Sequence, residues 1–304
     1  MKIYPITPRG YCKGVVRAIN LAKTSQNYQK PISILGMIVH NQYIVDALSH
    51  LGIQTIEKKG ASRLELLDEV DQGTIIITAH GASSELSKKA KEKGLDVIDA
   101  TCPDVIKTHQ LIKDYLEKGY DVIYIGKSGH PESEGAISID LNHIHLIESK
   151  KDIDQLDLSK QYVITNQTTM SLYDIYDLCE YAKQVLPHVV IEKETCHATK
   201  VRQEAIANIP TDIDVVFIIG DPHSNNTKKL ASIASSKANK TVYMVESVKD
   251  ITPSMLKDKT YAAVSSGAST PTYITNQVID YLKQFNYLDK ATYPTPDIDF
   301  NKIL

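Results

Sequence analysis

The chain has 304 residues, 42% hydrophobic and 23% charged, with 14 glycines and 12 prolines, a globular composition that excludes collagenous and low-complexity architectures. Its 34 Lys and Arg against 37 Asp and Glu leave a net charge of −3, so no diffuse positive field exists to hold a nucleic-acid backbone or an anionic membrane. No run approaches the ~18 apolar residues of a membrane span. The segment Met1-Lys2-Ile3-Tyr4-Pro5-Ile6 is too short for a signal-peptide core, and the expectation is a cytoplasmic protein with no nucleic-acid or membrane partner.

Short β-branched runs alternate with amphipathic stretches along the whole chain, the pattern of parallel strands joined by crossover helices. After an extended N-terminal segment, the predicted strands are Ile32 to Val39, Thr74 to Thr78, Asp96 to Ile98 and Asp121 to Ile125. Tyr162 to Thr165, Val189 to Ile191, Asp214 to Ile219, Thr241 to Val245 and Tyr261 to Val264 follow. Between them, apolar residues at three- and four-residue spacing predict helices such as Val15 to Lys23, Tyr43 to Leu51, Lys107 to Glu117, Ser171 to Leu186 and Tyr273 to Phe285. The class is α/β. A length prior of about 150 residues per domain predicts two or three domains, and no linker marks a boundary. Cys12, Cys102 and Cys196 recur at nearly equal spacing, which favours three α/β units of similar size.

Those three cysteines share a setting. Cys12 lies between the extended N-terminal segment and the helix near Val15; Cys102 follows a strand and precedes Pro103; Cys196 follows Val189-Val190-Ile191 and precedes a helical stretch from Ala198. Free N–H groups and partial positive charge at a helix start stabilise a thiolate, the form that binds metal. Taken singly, each cysteine also reads as a small buried residue, and Cys179, in line with Leu172, Ile175, Ala182 and Leu186, reads as helix core. Three thiols without a C-x-x-C pair do not resemble a structural zinc site. Soft sulfur from three separated segments suits an iron-sulfur cluster, and three ligands for a four-iron cube leave one iron without a protein ligand.

Polar residues gather where the strands end, the place where ligands bind in open α/β sheets. They are His40, His80, His130 with Glu132, Thr168, Ser224 with Asn226, and Ser269. Singly each reads as ordinary loop chemistry. Together, histidine, serine and asparagine donors can hold phosphate oxygens without a Walker loop.

Read in order, the motifs resemble the 4-hydroxy-3-methylbut-2-enyl diphosphate reductase family over nearly the whole chain. They are Pro8-Arg9-Gly10-Tyr11-Cys12, Val39-His40-Asn41, Ala79-His80-Gly81, Asp99-Ala100-Thr101-Cys102-Pro103, Gly129-His130-Pro131-Glu132, Gln167-Thr168-Thr169, Thr195-Cys196 with Arg202-Gln203-Glu204-Ala205, and Gly267-Ala268-Ser269. The resemblance implies three similar α/β domains with mainly parallel sheets, arranged as a trefoil around a central 4Fe-4S cluster. The expected domains are residues 13–100, 101–194 and 195–304, the last joined by the N-terminal strand 1–12. Cys12, Cys102 and Cys196 match the cluster ligands. His40, His80, Ser224, Asn226 and Ser269 match diphosphate-binding positions, and His130, Glu132 and Thr168 match those around the substrate hydroxyl, with Glu132 delivering a proton. Where many members carry Asn-Ser-Ser-Asn, this chain has His223-Ser224-Asn225-Asn226, and the Asn225 amide can still donate to a phosphate oxygen.

The implied reaction is reductive removal of an allylic hydroxyl, giving isopentenyl and dimethylallyl diphosphates in the non-mevalonate isoprenoid pathway. It implies a small-molecule allylic diphosphate substrate and a one-electron donor protein of ferredoxin or flavodoxin type, and no nicotinamide fingerprint is present. The rivals are an iron-sulfur dehydratase of quinolinate-synthase type and a non-enzymatic iron-sulfur sensor. The former needs no reductant, and the latter has little use for so many anion donors.

Overall fold

A computed structural model describes residues 1–58, 60–192 and 195–304. The chain opens with β1 (Lys2–Pro5), α1 (Lys13–Thr24), β2 (Ile32–Leu35), α2 (Gln42–His50), β3 (Ile53–Ile56), α3 (Arg63–Asp68), β4 (Thr74–Ile77), α4 (Ser84–Glu92) and β5 (Asp96–Asp99). It continues with α5 (Pro103–Glu117), β6 (Asp121–Ile125), α6 (Pro131–Ile137), β7 (Ile144–Ile147), α7 (Lys150–Ile153), β8 (Tyr162–Asn166), α8 (Leu172–Val185) and β9 (Val190–Ile191). The last region holds α9 (His197–Ala207), β10 (Val215–Ile219), α10 (Asn225–Ser236), β11 (Thr241–Val245), α11 (Pro253–Leu256), β12 (Tyr261–Ser266) and α12 (Thr272–Gln284).

These strands form three four-stranded sheets, every neighbouring pair parallel, with orders β3-β2-β4-β5, β7-β6-β8-β9 and β11-β10-β12-β1. Numbered within its own region, each of the first two sheets reads 2-1-3-4. The third reads the same way, with the N-terminal β1 in fourth place, Lys2 opposite Tyr261 and Pro5 opposite Val264. The expected α/β class with three similar parallel sheets is therefore observed. Parallel neighbours require crossover connections, which the helices supply. The central strands β6, β8 and β10 are buried at every residue, so their sequences are apolar on both faces.

By its contacts the chain divides into two compact units. One comprises Met1–Val15, His40–Ala47 and His197–Leu304, and the other Val16–Val39 and Leu48–Cys196. The first is built on the β1-containing sheet, with Ile6, Ile206, Val216, Ile218 and Leu230 in its core. The second holds the other two sheets. One of its cores is lined by Ile123, Ile164, Leu178 and the 1%-exposed Cys179, which sits on α8 beside Ile175 and Ala182 as the apolar stripe predicts.

Two kinds of difference from the sequence reading stand out. The strand expected to run to Val39 stops at Leu35, because Gly36 turns the chain at φ +81, with the Arg63 guanidinium filling the space a side chain would need. The edge strands β3 and β7 were absent from the reading. Their Ile-Gln-Thr-Ile and Ile-His-Leu-Ile sequences mix polar with apolar residues, since an edge strand is only partly covered. Residue 194, one end of an expected domain, lies outside the described residues.

Candidate active site

The order 2-1-3-4 reverses direction between the first and third strands of each sheet, and ligands bind outside the carboxyl ends of strands at such a reversal. His40, His130 and Ser224 each stand five residues past the first strand of their sheet, after Leu35, Ile125 and Ile219. His80 and Ser269 stand three residues past the third strand, and Thr168 two. The polar residues singled out from the sequence thus occupy repeated places in one topology. Close packing there demands a small residue after β10: Gly220 has φ +150, and a Cβ on it would lie 2.6 Å from Thr227 Oγ1 in the first turn of α10.

The three cysteines repeat as well. Each follows the fourth strand of its sheet, β1, β5 or β9, and opens a helix, α1, α5 or α9. Each donates its backbone N–H to a carbonyl two residues past the third strand: Cys12 to Ala268 at 3.0 Å, Cys102 to Ala79 at 3.0 Å, and Cys196 to Thr168 at 3.4 Å. Cys12 Sγ also accepts the Val15 N–H at 3.5 Å. None of the cysteines forms a disulfide, and these three are half-buried whereas Cys179 is in the core. Three thiols at equivalent helix starts are a donor set that fits a soft-metal cluster.

Within the larger unit, Glu132 lies in the first turn of α6, 2% exposed. It belongs to a buried helix start and not to an open loop. Its carboxyl accepts the Thr168 N–H at 2.7 Å and the Thr168 Oγ1–H at 3.1 Å. Burial pushes its pKa up to about 7, against the lowering effect of the two Thr168 bonds. His130 caps α6 by accepting the Glu132 N–H on Nδ1 at 3.2 Å, which leaves Nε2 as the protonated nitrogen of the neutral ring. The His80 ring stands edge-on to His130 with centroids 5.4 Å apart. Glu132, Thr168, His130 and His80 are therefore joined by direct contacts, and Cys196 joins them through the Thr168 carbonyl.

In the other unit, Ser269 Oγ donates to the His40 carbonyl at 3.0 Å, one residue from the Ala268 carbonyl that holds Cys12. Ser224 caps α10 by accepting the Thr227 N–H. Asn225 is the first residue of that helix and half-buried. Asn226 is 4% exposed, and neither Oδ1 nor Nδ2 has a hydrogen-bond partner among the described residues. An unsatisfied buried amide costs about 1–3 kcal/mol.

A family model described as LytB protein matches residues 3–283. The chain belongs to this family. It is 50% identical over 290 residues to the 4-hydroxy-3-methylbut-2-enyl diphosphate reductase of Anoxybacillus flavithermus, covering 94% of this chain and 91% of that protein. Against the Bacillus subtilis reductase of the same name it is 46% identical over 309 residues, covering 100% and 98%. Among solved structures, it is similar to the E-1-hydroxy-2-methyl-but-2-enyl-4-diphosphate reductase of Plasmodium falciparum, with TM-score 0.87 and 31% identity over 98% of this chain and 95% of that one. A second, (E)-4-hydroxy-3-methyl-but-2-enyl diphosphate reductase, described as the terminal enzyme of the non-mevalonate pathway, matches with TM-score 0.67 and 30% identity over 93% and 99%. This LytB chain is an enzyme of the oxidoreductase class.

Two residues that tie the candidate site's segments together were not singled out from the sequence. Gln167 is fully buried; its Oε1 accepts the Lys127 N–H at 3.0 Å, and its Nε2 donates to Thr169 Oγ1 at 3.0 Å, tying the loops after β6 and β8. Arg202, buried on the helix that Cys196 opens, donates to the Gly10 carbonyl at 2.7 Å, two residues before Cys12. Both lie inside motifs visible in the sequence, but a long-range bond to a backbone N–H, as for Gln167, or to a backbone carbonyl, as for Arg202, leaves no local signal.

Proposed function

We propose that the chain reduces 4-hydroxy-3-methylbut-2-enyl diphosphate to isopentenyl and dimethylallyl diphosphates, the terminal step of the non-mevalonate pathway, in the cytoplasm. The observation that carries the residue assignment is Glu132: a carboxyl buried at a strand-order reversal, held by Thr168, whose pKa of about 7 suits proton transfer at neutral pH. Named reductase relatives at 46–50% identity favour this reading over a dehydratase or a sensor.

Cys12, Cys102 and Cys196 would hold a 4Fe-4S cluster with one iron lacking a protein ligand, which when bound supplies single electrons from an external ferredoxin- or flavodoxin-type donor and Lewis acidity. Residues 13–100, 101–194 and 195–304 with 1–12 would be the three domains, and each of these thiols lies within two residues of a domain boundary. His40, His80, Ser224, Asn225, Asn226 and Ser269 bind the diphosphate; the helix start at Ser224 and the unpartnered Asn226 amide support this role. His130 donates from Nε2 to the substrate hydroxyl, and Thr168 orients Glu132. Glu132 then protonates the hydroxyl oxygen as the carbon–oxygen bond breaks, so that water and not hydroxide departs. Two electrons and two protons enter, the allylic carbon skeleton gains one hydrogen, and one water leaves.

The test is anaerobic turnover of the allylic diphosphate with a low-potential one-electron reductant. Product forming in proportion to electrons supplied is expected. Turnover without reductant would make the protein a dehydratase, and an assembled cluster with no affinity for diphosphates would make it a sensor.

A further inference from the structure

The end of the chain lies past residue 283, where the family match stops, yet it is not a frayed terminus. Ile303 is 1% exposed, and its carbonyl accepts the Tyr11 hydroxyl at 2.7 Å. Phe300 packs on the Tyr43 ring with centroids 6.3 Å apart. The Asp299 N–H donates to the Tyr273 hydroxyl at 3.2 Å, and Lys302 Nζ lies 5.5 Å from the centre of the same ring. All of these residues belong to one compact unit.

The three tyrosines are placed where the site is carried. Tyr11 immediately precedes Cys12, Tyr43 is three residues past His40 on α2, and Tyr273 is four residues past Ser269 on α12. A terminal stretch of five residues therefore touches a near neighbour of one proposed cluster ligand and of two proposed diphosphate ligands. We propose that residues 299–303 form a strap that positions Cys12, His40 and Ser269 by gripping Tyr11, Tyr43 and Tyr273. This rests on the reading of those three residues given above. A site needs its supporting groups locked by packing and hydrogen bonds, because small displacements of ligands are costly.

The experiment compares the parent, a chain ending at Ile298, and Tyr11→Phe, all reconstituted anaerobically with iron and sulfide. For each, iron release to a chelator under argon, the spectrum of the reduced cluster, the KM for the allylic diphosphate and the melting temperature are measured. Expected are iron release about tenfold faster in both variants, an altered cluster spectrum in Tyr11→Phe, and a KM about tenfold higher in the shortened chain, the scale of one lost hydrogen bond. Lower melting temperatures with parental iron release, spectrum and KM would overturn the strap and make the segment a plain stabiliser. If the shortened chain does not fold, Tyr11→Phe alone decides by iron release and spectrum. A parent that takes up no cluster at all would overturn the thiol assignment itself, an outcome distinct from a loaded parent whose variants behave like it.

Discussion

Glu132 is buried in the first turn of α6, where its carboxyl accepts both the Thr168 N–H and the Thr168 hydroxyl. Its native pKa of about 7 lies above the ordinary 4.5, so the folded protein prefers the protonated form. That contribution to stability is fully present below about pH 4.5 and is lost as pH rises through about 7. Glu132→Gln keeps the shape and can satisfy both Thr168 groups, its amide oxygen accepting the N–H and its amide N–H donating to Oγ1. The variant should therefore match the parent near pH 4.5 and exceed it in stability by up to about 3 kcal/mol above pH 8, a gap that denaturant melts at several pH values will read. Turnover should fall by about two or more orders of magnitude with the cluster retained. The parent's decline in activity above about pH 7, where Glu132 ionises, should vanish from the residual activity of the variant. Near-parental turnover in Glu132→Gln, measured beside His130→Asn, would move proton delivery away from Glu132.

At the scale of elements, β1 carries more than its four residues suggest. It covers the outer edge of β12, and the segment following it holds Cys12 against the Ala268 carbonyl. Deleting residues 2–5 should expose the β12 edge, and hydrogen exchange at Tyr261–Ser266 should accelerate while the amides of β4 and β8 keep their protection. Iron content after reconstitution should drop in the same variant. Uniform loss of protection in all three sheets would show instead that β1 supports the whole fold. The helices are shaped by local chemistry that is easier to see: Ser62 and Glu65 form a capping box on α3, Ser83 caps α4, and Pro103 begins α5 just after Cys102.

Across the whole molecule, one strand order is used three times, and each use ends in a cysteine bound to the same kind of carbonyl. Equivalent places predict equivalent consequences. Cys12→Ser, Cys102→Ser and Cys196→Ser should each abolish a stable cluster, because a hard hydroxyl oxygen is a poor substitute for thiolate. Cys179→Ser, whose thiol is packed on α8, should keep the cluster while losing some stability. Iron and sulfide analysis with the visible spectrum checks all four. Full cluster retention in the first three variants, or a protein that takes up only zinc, would refute the thiol assignment.

The sequence alone determined the α/β class, the central strands and the placing of three thiols at helix starts. Each is a local consequence of burial: a strand covered on both faces must be apolar throughout, as in Val215–Ile219, and a helix start is marked by its neighbours. The site motifs were legible for the same reason, since His80 and Ser269 stand directly after such strands. Tertiary structure decided what local pattern does not encode. The N-terminal Lys2–Pro5 pairs with a strand more than 250 residues away, and apolar periodicity names no partner. The edge strands β3 and β7 are strands because β2 and β6 offer them hydrogen bonds, not because their own sequences demand it. Glu132 acquires its raised pKa from the exclusion of water around α6, and Tyr11 acquires its partner from the far end of the chain. Solvent exclusion and long-range pairing exist only once the chain has closed on itself.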